Sequence, residues 1–364
     1  MDNFNKQMIK IYTVFIVLCG FSIFNINIMQ IGLINIEKPL LLAPMEDVTD
    51  QAFRIVCKRL GADIVYTEFV NSEGLVRLSE KTHRKMTFSE EERPFGIQIY
   101  GGEESSMEQA AKIAEDLNPD IIDINCGCWV RKVAGQGAGS GLLRDLPKME
   151  RIISTVVKSV RVPITVKTRL GWDIENIRIV EVAKMVEQTG ARALTIHCRT
   201  RSQAHKGDPD FSWIPIIKSL VTIPIIANGS LDTPQKIEQT FQETGCDGIM
   251  IGRAAIDNPW IFRQAKQYLL NGTISTRPTI EDRFNLLIEH LKLSADIKGE
   301  RKGVVEFRKH YTGYLKGLFQ AAKIRQEMMQ FTELSPALDH LSHYRQNLLS
   351  YSILHANKGI IEAI

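Results

Sequence analysis

The chain has 364 residues, 44% of them hydrophobic and 24% charged, which leaves room for one large domain and a smaller one. A formal net charge of +3 is too small to argue for a nucleic-acid partner on its own. Cys126 and Cys128 stand too close for an unstrained bridge, and a chain this long needs no covalent staples. The cysteines therefore point to a reducing compartment, and the expected location is the cytoplasm.

Residues 11 to 36 carry no charged side chain, and Ile11 to Phe24 is strongly apolar after Lys6 and Lys10. Such a segment reads as a signal core or a short membrane anchor. Asn25, Asn27, Gln30 and Asn35 dilute its second half, and no small-residue cleavage site follows. The preferred reading is an extension outside the fold (residues 1–28), with translation starting at Met29 and a short hairpin ahead of the first strand. No stable membrane association is expected.

Eight short apolar runs then follow: Leu40–Ala43, Ile64–Thr67, Phe95–Ile99, Ile121–Ile124, Ile164–Lys167, Ala193–His197, Pro224–Ala227 and Gly248–Ile251. Their near-continuous apolar character predicts parallel strands buried on both faces. They recur about every 25 to 30 residues, the length of one βα unit. The interval between the fourth and fifth is longer and holds a glycine-rich loop. Helix signals fill the gaps, including Asp50 before Ala52–Leu60 and Thr233-Pro234 with Gly245 at the far end. Eight units predict a (β/α)8 TIM barrel over residues 29–261. A doubly wound open sheet is the alternative, weakened because no G-x-G-x-x-G follows the first strand.

Beyond the eighth strand the pattern turns helical, with helices expected over Ile280–Ile297 and Lys302–Leu318 and two shorter ones after Glu333. Residues 262–364 are read as a smaller all-α domain. From Phe262 onward 15 Lys+Arg stand against 10 Asp+Glu, a net of +5, whereas the rest holds 30 against 32, a net of −2. Lys302, Lys309 and Lys316, seven apart, would line one face of a helix beside Arg301 and Arg308. That stripe is either a solvated face or a grip on nucleic-acid phosphates.

In such barrels the active groups sit at the C-terminal strand ends. Taken in order, those ends are Pro44, Met45 and Glu46; Glu68; Gln98; Asn125 with Cys128; Lys167 with Arg169; His197 with Arg199; Asn228, Gly229 and Ser230; and Gly252 with Arg253. The last two ends supply glycines for close approach and an arginine for charge, a pattern suited to a phosphorylated ligand. Lys167 could form a Schiff base or hold an anion. His197 could be a base, a phosphate ligand or a core histidine. Cys128 lies past its strand on the glycine loop, where a thiol meets substrate. No second Cys or His pair follows with zinc-ligand spacing, so no metal is expected.

These segments resemble the flavin-dependent tRNA-dihydrouridine synthases. The resemblance rests on Leu42-Ala-Pro-Met-Glu-Asp-Val-Thr-Asp50, Gln98-Ile-Tyr-Gly101, Asp123-Ile-Asn-Cys-Gly-Cys128, Val166-Lys-Thr-Arg-Leu-Gly-Trp-Asp173, Ile196-His-Cys-Arg-Thr200, Ile226-Ala-Asn-Gly229 and Ile251-Gly-Arg-Ala254, with Arg308-Lys-His-Tyr311 and Tyr314-Leu-Lys-Gly317 in the helical part. It implies reduction of FMN by NADPH or NADH, hydride transfer from the flavin to carbon 6 of a tRNA uracil, and protonation of carbon 5 by Cys128. On the same basis Pro44, Met45, Glu46 and Gln98 contact the flavin. Lys167 and His197 hold its ring edge and ribityl side, and Asn228, Gly229, Ser230, Gly252 and Arg253 its phosphate. Asn125 and Arg169 would orient the uracil, with Arg199 on the substrate side. Lys302, Arg308, Lys309 and Lys316 would grip the tRNA, and the protein is expected to act as a monomer. Two positions depart from the family pattern: Trp129 replaces the usual proline after the cysteine, and Glu46 a small residue. A flavin barrel acting on a small pyrimidine, as dihydroorotate and dihydropyrimidine dehydrogenases do, is the main alternative. A Schiff-base aldolase and a catalytically silent tRNA binder are others.

Overall fold

The structure, a computed structural model, describes residues 28–274 and 276–356. The apolar extension before residue 28 lies outside the described residues, and with it the anchor and start-site readings. Among the described residues no helix is long and apolar enough to cross a membrane.

The strands are β1 (Ile28–Ile31), β2 (Ile34–Glu37), β3 (Leu40–Leu42), β4 (Val65–Tyr66), β5 (Val70–Asn71), β6 (Phe95–Tyr100), β7 (Ile121–Cys126), β8 (Ile164–Arg169), β9 (Leu194–His197), β10 (Ile225–Asn228) and β11 (Gly248–Ile251). β3, β4 and β6 to β11 run parallel in chain order around a barrel, and the short β5 pairs with β6 beyond β4. A bridge between Leu41 and Ile64 closes the ring, with Leu42 N donating to Ile64 O at 2.9 Å. All eight expected strands are present, within one or two residues of their expected ends. β7 is buried at every position, as a parallel strand between helices and barrel interior must be.

β1 and β2 form the anticipated antiparallel hairpin, paired from Ile28–Glu37 to Ile31–Ile34. It plugs one end of the barrel. Met29 and Ile31 pack into an interior cluster with Leu41, Ile64, Tyr66, Ile121, Ile226 and Met250. Tyr66 crosses the interior so closely to β6 that a Cβ on Gly96 would fall 2.4 Å from its ring. Glycine is required there for packing, not for a turn. The larger core lies between the sheet and its surrounding helices.

The helix Ile261–Asn271 begins at the expected domain junction, yet Ile261, Phe262 and Ala265 sit in the barrel core. The helical part builds its own core from Phe284 onward, and Val56 and Leu60 of the barrel helix Gln51–Arg59 belong to that second core. Three details differ from expectation. Lys302–Leu318 is not one helix: it divides into Glu300–Phe307, a 3-10 turn Arg308–His310 and Tyr311–Leu315. A 3-10 turn advances about 120° per residue against about 100° in an α-helix, so three residues shift the face by about 60°. Lys316 then lies past the helix end, with ψ 127°. The three lysines therefore do not line one face. An unanticipated helix spans Ala321–Met328, and a single 23-residue helix, Leu334–Ala356, stands where two were expected.

Candidate active site at the C-terminal rim of the barrel

The rim is assembled on a hydrogen-bonded chain that crosses three strands. Thr165 on β8 donates to one oxygen of Asp123 at 2.5 Å, and the Gln98 amide donates to the other at 2.6 Å. The Gln98 carbonyl accepts from Asn125 Nδ2 at 2.8 Å. The Asn125 carbonyl oxygen then accepts from the main-chain N–H groups of Gly127 (3.0 Å) and Cys128 (2.8 Å). From the other side Ser140 donates to Cys128 O through both N (3.1 Å) and Oγ (2.8 Å). Every amide and carboxylate group of the chain is paired, so the position of Cys128 is fixed by register and not left to loop preference. Asp123 is buried at the barrel centre, and burial raises its carboxyl to about 6. Its role was not read from the sequence, although a carboxylate inside the run Ile121-Ile-Asp-Ile124 was the available signal.

Cys128 is half-buried. Burial raises its thiol above the ordinary value, and the Val130 N–H and then Arg169 oppose this only in part. The group is therefore a protonated thiol at neutral pH.

Beside it lies a concentration of basic groups. Lys167 donates to Asn228 Oδ1 at 3.2 Å, and Asn228 Nδ2 donates to Met250 O at 2.7 Å. Burial, and then the neighbouring Arg169, lower Lys167 to about 8. Burial lowers Arg169 to about 10. His197 is pushed well below its usual value by burial and then by Arg169, Lys167 and Arg199, and it stays neutral. His205, absent from the sequence reading, is lowered to about 4, chiefly by burial and then by Arg253. Cations crowded enough to depress one another form a site that gains from an anion.

The β10 and β11 ends complete that site. Gly229 has φ 144° and Ser230 φ 46°, and a Cβ on Gly229 would meet Pro209 at 2.9 Å. Gly252 precedes the helical turn Arg253–Asp257, and Arg253 stands exposed. This backbone offers N–H groups beside an arginine, the chemistry a phosphate needs. The residues thus fit a phosphorylated cofactor.

Two expected substrate groups are engaged internally. Arg169 donates to Gly127 O, Thr200 O and Ala204 O, each at 2.9 Å, and so braces the cysteine loop. Arg199 donates to Gly207 O at 3.0 and 2.7 Å and to Ser230 Oγ at 2.8 Å, with His197 Nε2 at 3.3 Å. Its bonds hold the β10 end together.

The loop after β3 has a double attachment. Pro44 and Met45 reach the rim, where Met45 Sδ lies 3.6 Å from the position a Gly252 Cβ would take. Glu46 pairs with Lys85, which also lies 3.7 Å from Glu68, and Glu68 accepts from Asp47 N at 2.5 Å. Glu46, Asp47 and Glu68 could bring ligand oxygens together, and Lys85 pairs with two of the three carboxylates. Farther along, Asp50 caps the helix Gln51–Arg59 and pairs with Lys298 at 2.6 Å, and Lys309 donates to Asp47 O.

Among the expected tRNA contacts, Arg308 donates to Phe331 O at 3.1 Å. Lys302 and Lys316 remain mostly exposed, with loose pairs to Glu306 (3.9 Å) and Asp257 (3.5 Å).

Comparison with known proteins agrees with this geometry. The family model described as dihydrouridine synthase matches residues 41–349. The tRNA-dihydrouridine synthase B of Pseudomonas aeruginosa is 39% identical over 320 residues, covering 88% of this chain and 96% of its own. That of Vibrio vulnificus is 36% identical over 322 residues, covering 88% of this chain and 100% of its own. The solved structure of 6-hydroxypseudooxynicotine amine oxidase from Pseudomonas geniculata N1 shares the fold alone, with TM-score 0.51 and 12% identity over 74% of this chain and 52% of that one. By the extent of these matches and the motifs that line its rim, the chain belongs to the dihydrouridine synthase family.

Proposed function

We propose that this protein reduces the 5,6 double bond of uridines in tRNA, using FMN bound at the barrel rim and NADPH or NADH as the source of electrons. The observation that carries the reading is a protonated thiol, Cys128, pinned beside a cationic cradle suited to a phosphorylated cofactor. When bound, FMN supplies the hydride. Pro44 and Met45 would line its ring, Lys167 and His197 its edge and ribityl side, and Asn228, Gly229, Ser230, Gly252 and Arg253 its phosphate. Gln98 would contact the flavin and, through its bonds to Asp123 and Asn125, hold Asn125 in place.

The chain's own chemistry is proton delivery. Cys128 gives its proton to carbon 5 of the uracil, and its raised thiol keeps that proton available at neutral pH. Asn125 and Arg169 hold the loop, and the target base leaves its stack to reach the rim. Lys302 and Lys316 on the helical part are the exposed cations placed to meet tRNA phosphates.

The test is incubation of wild type and Cys128→Ala with NADPH and unmodified tRNA, followed by mass spectrometry of the nucleosides. The expected result is a gain of two hydrogens on one uridine and a loss of about 10²- to 10⁴-fold in the variant. A yellow protein that oxidises NADPH and leaves tRNA unchanged would instead favour a small pyrimidine as substrate.

A further inference from the structure

Trp129 follows the proton donor directly, yet it is 39% exposed, and Val130 beside it is 44% exposed. An indole left partly open beside an exposed valine, one residue from the thiol, offers an aromatic face to whatever enters the rim. This loop is not slack. Its main chain is pinned on both sides of Cys128 by Asn125 and Ser140, and Val133 N closes the next turn on Val130 O at 3.0 Å. The indole stands edge-on to His205, with ring centroids 5.5 Å apart at 82°. His205 is in turn 6.1 Å from His197 on the rim. Buttressed at one edge, the indole is oriented without being covered. The next residues, Arg131 and Lys132, are both exposed.

We propose that Trp129 is a stacking platform for a nucleobase adjacent to the target uridine, with Arg131 and Lys132 meeting the neighbouring phosphates. This rests on the tRNA reading above and adds to it a determinant of which single-stranded segment is accepted. Extracting a uridine costs its two neighbours a stacking partner. An aromatic face one residue from the thiol stands where it can replace that partner while the base enters the rim. A flanking base suits the indole better than the target uracil does, because the target must lie over the cofactor and against Cys128.

The experiment compares wild type, Trp129→Leu and Trp129→Phe. Leucine keeps apolar bulk without a ring, and phenylalanine keeps a smaller ring. Unmodified tRNA is titrated by fluorescence anisotropy, and steady-state reduction is followed with NADPH saturating. Trp129→Leu is expected to weaken the Kd, and to raise the KM for tRNA, roughly 5- to 150-fold, the range for loss of one stacked base. Trp129→Phe should restore most of the affinity, with the change falling on KM and not on kcat. Equal Kd values for all three proteins would overturn the proposal. A loss confined to kcat would do so as well, because it would assign Trp129 to the placement of Cys128. If wild type binds tRNA and reduces none, the parent reading fails while the anisotropy series still decides whether Trp129 contacts the RNA.

Discussion

Two buried polar clusters in this molecule follow opposite rules. Inside the barrel, Asp123, Gln98, Asn125 and Thr165 pair completely with one another and with the Cys128 loop. At the seam with the helical part, Asp50 and Lys298 pair at 2.6 Å, but the two histidines packed beside them are poorly served. His310 has no partner at either ring nitrogen among the described residues, and neither do His290 Nε2 and Tyr311 Oη. These histidines pack as flat apolar rings. His310 lies 4.5 Å from His290, 4.9 Å from Phe53 and 5.4 Å from Phe307 between centroids. The barrel cluster sets geometry for chemistry, so each of its side-chain nitrogens and oxygens has a partner. The seam joins two surfaces, so shape governs and unpaired nitrogens are tolerated at a cost in stability.

The comparison can be broken most forcefully at the seam's buried pair of Asp50 and Lys298. Lys298→Met leaves the Asp50 carboxylate buried without its main counter-ion. Urea denaturation should then show a loss of about 3–5 kcal/mol, the usual effect of stranding one partner of a buried pair. A loss well under 1 kcal/mol would mean that Lys309, 3.7 Å away, can take over. Gln98→Leu tests the barrel side. It orphans Asp123 Oδ2 and Asn125 Nδ2 together, at about 1–3 kcal/mol for each atom left unpaired. Uridine reduction should fall further than stability does, because the N–H groups of Gly127 and Cys128 lose an oriented acceptor.

The contrast sharpens with pH. Burial lowers His290 to about 3, and His310 shifts in the same direction. Both bind a proton more weakly folded than unfolded, so the unfolded chain takes up more protons as pH falls below about 6.5, and stability is lost in that direction. His290 contributes a slope of about 1 kcal/mol per pH unit between about pH 6.5 and 4, and His310 adds in the same direction. Burial pushes the Asp50 carboxyl up, but Lys298 outweighs it and holds the group below the usual carboxylate range, so Asp50 adds to the loss only below about pH 4. His310→Phe should flatten the first window and raise neutral stability by about 1 kcal/mol, because it removes two unpaired nitrogens. A steeper acid slope in that variant would contradict the account. The smallest effect is expected at the rim on the alkaline side. Uridine reduction should decline on the alkaline side as Lys167 loses its charge near about pH 8 and, above the ordinary thiol range of about 8.5, as Cys128 ionises.

Much of this was legible beforehand for a simple reason. Parallel strands buried on both faces leave near-continuous apolar runs, and the residue after each run must lie on the rim. Lys167, Asn228 and Cys128 could therefore be found without coordinates. What escaped depends on neighbours in other strands. Asp123 acquires meaning only when register sets it against Thr165 and Gln98. The resemblance placed Arg199 on the substrate side, and only the fold shows that Gly207 and Ser230 also hold its guanidinium. The lysine stripe assumed an unbroken helix over Lys302–Leu318. Spacing does not register that Gly313 presses against the barrel so closely that a Cβ there would fall 2.1 Å from Ile256 O.

The loop Pro44–Asp50 has a consequence for how the molecule can be taken apart. Its first residues reach the rim, while Asp47 O and the Asp50 carboxylate are clasped by Lys309 and Lys298 from the helical part. Val56 and Leu60, on the helix that follows, belong to the other part's core. A barrel expressed alone would carry an open apolar face and a slack flavin-side loop. Its affinity for cofactor would then misreport that of the whole chain. The protein has two architectures but a single smallest working piece, and that piece includes the helices.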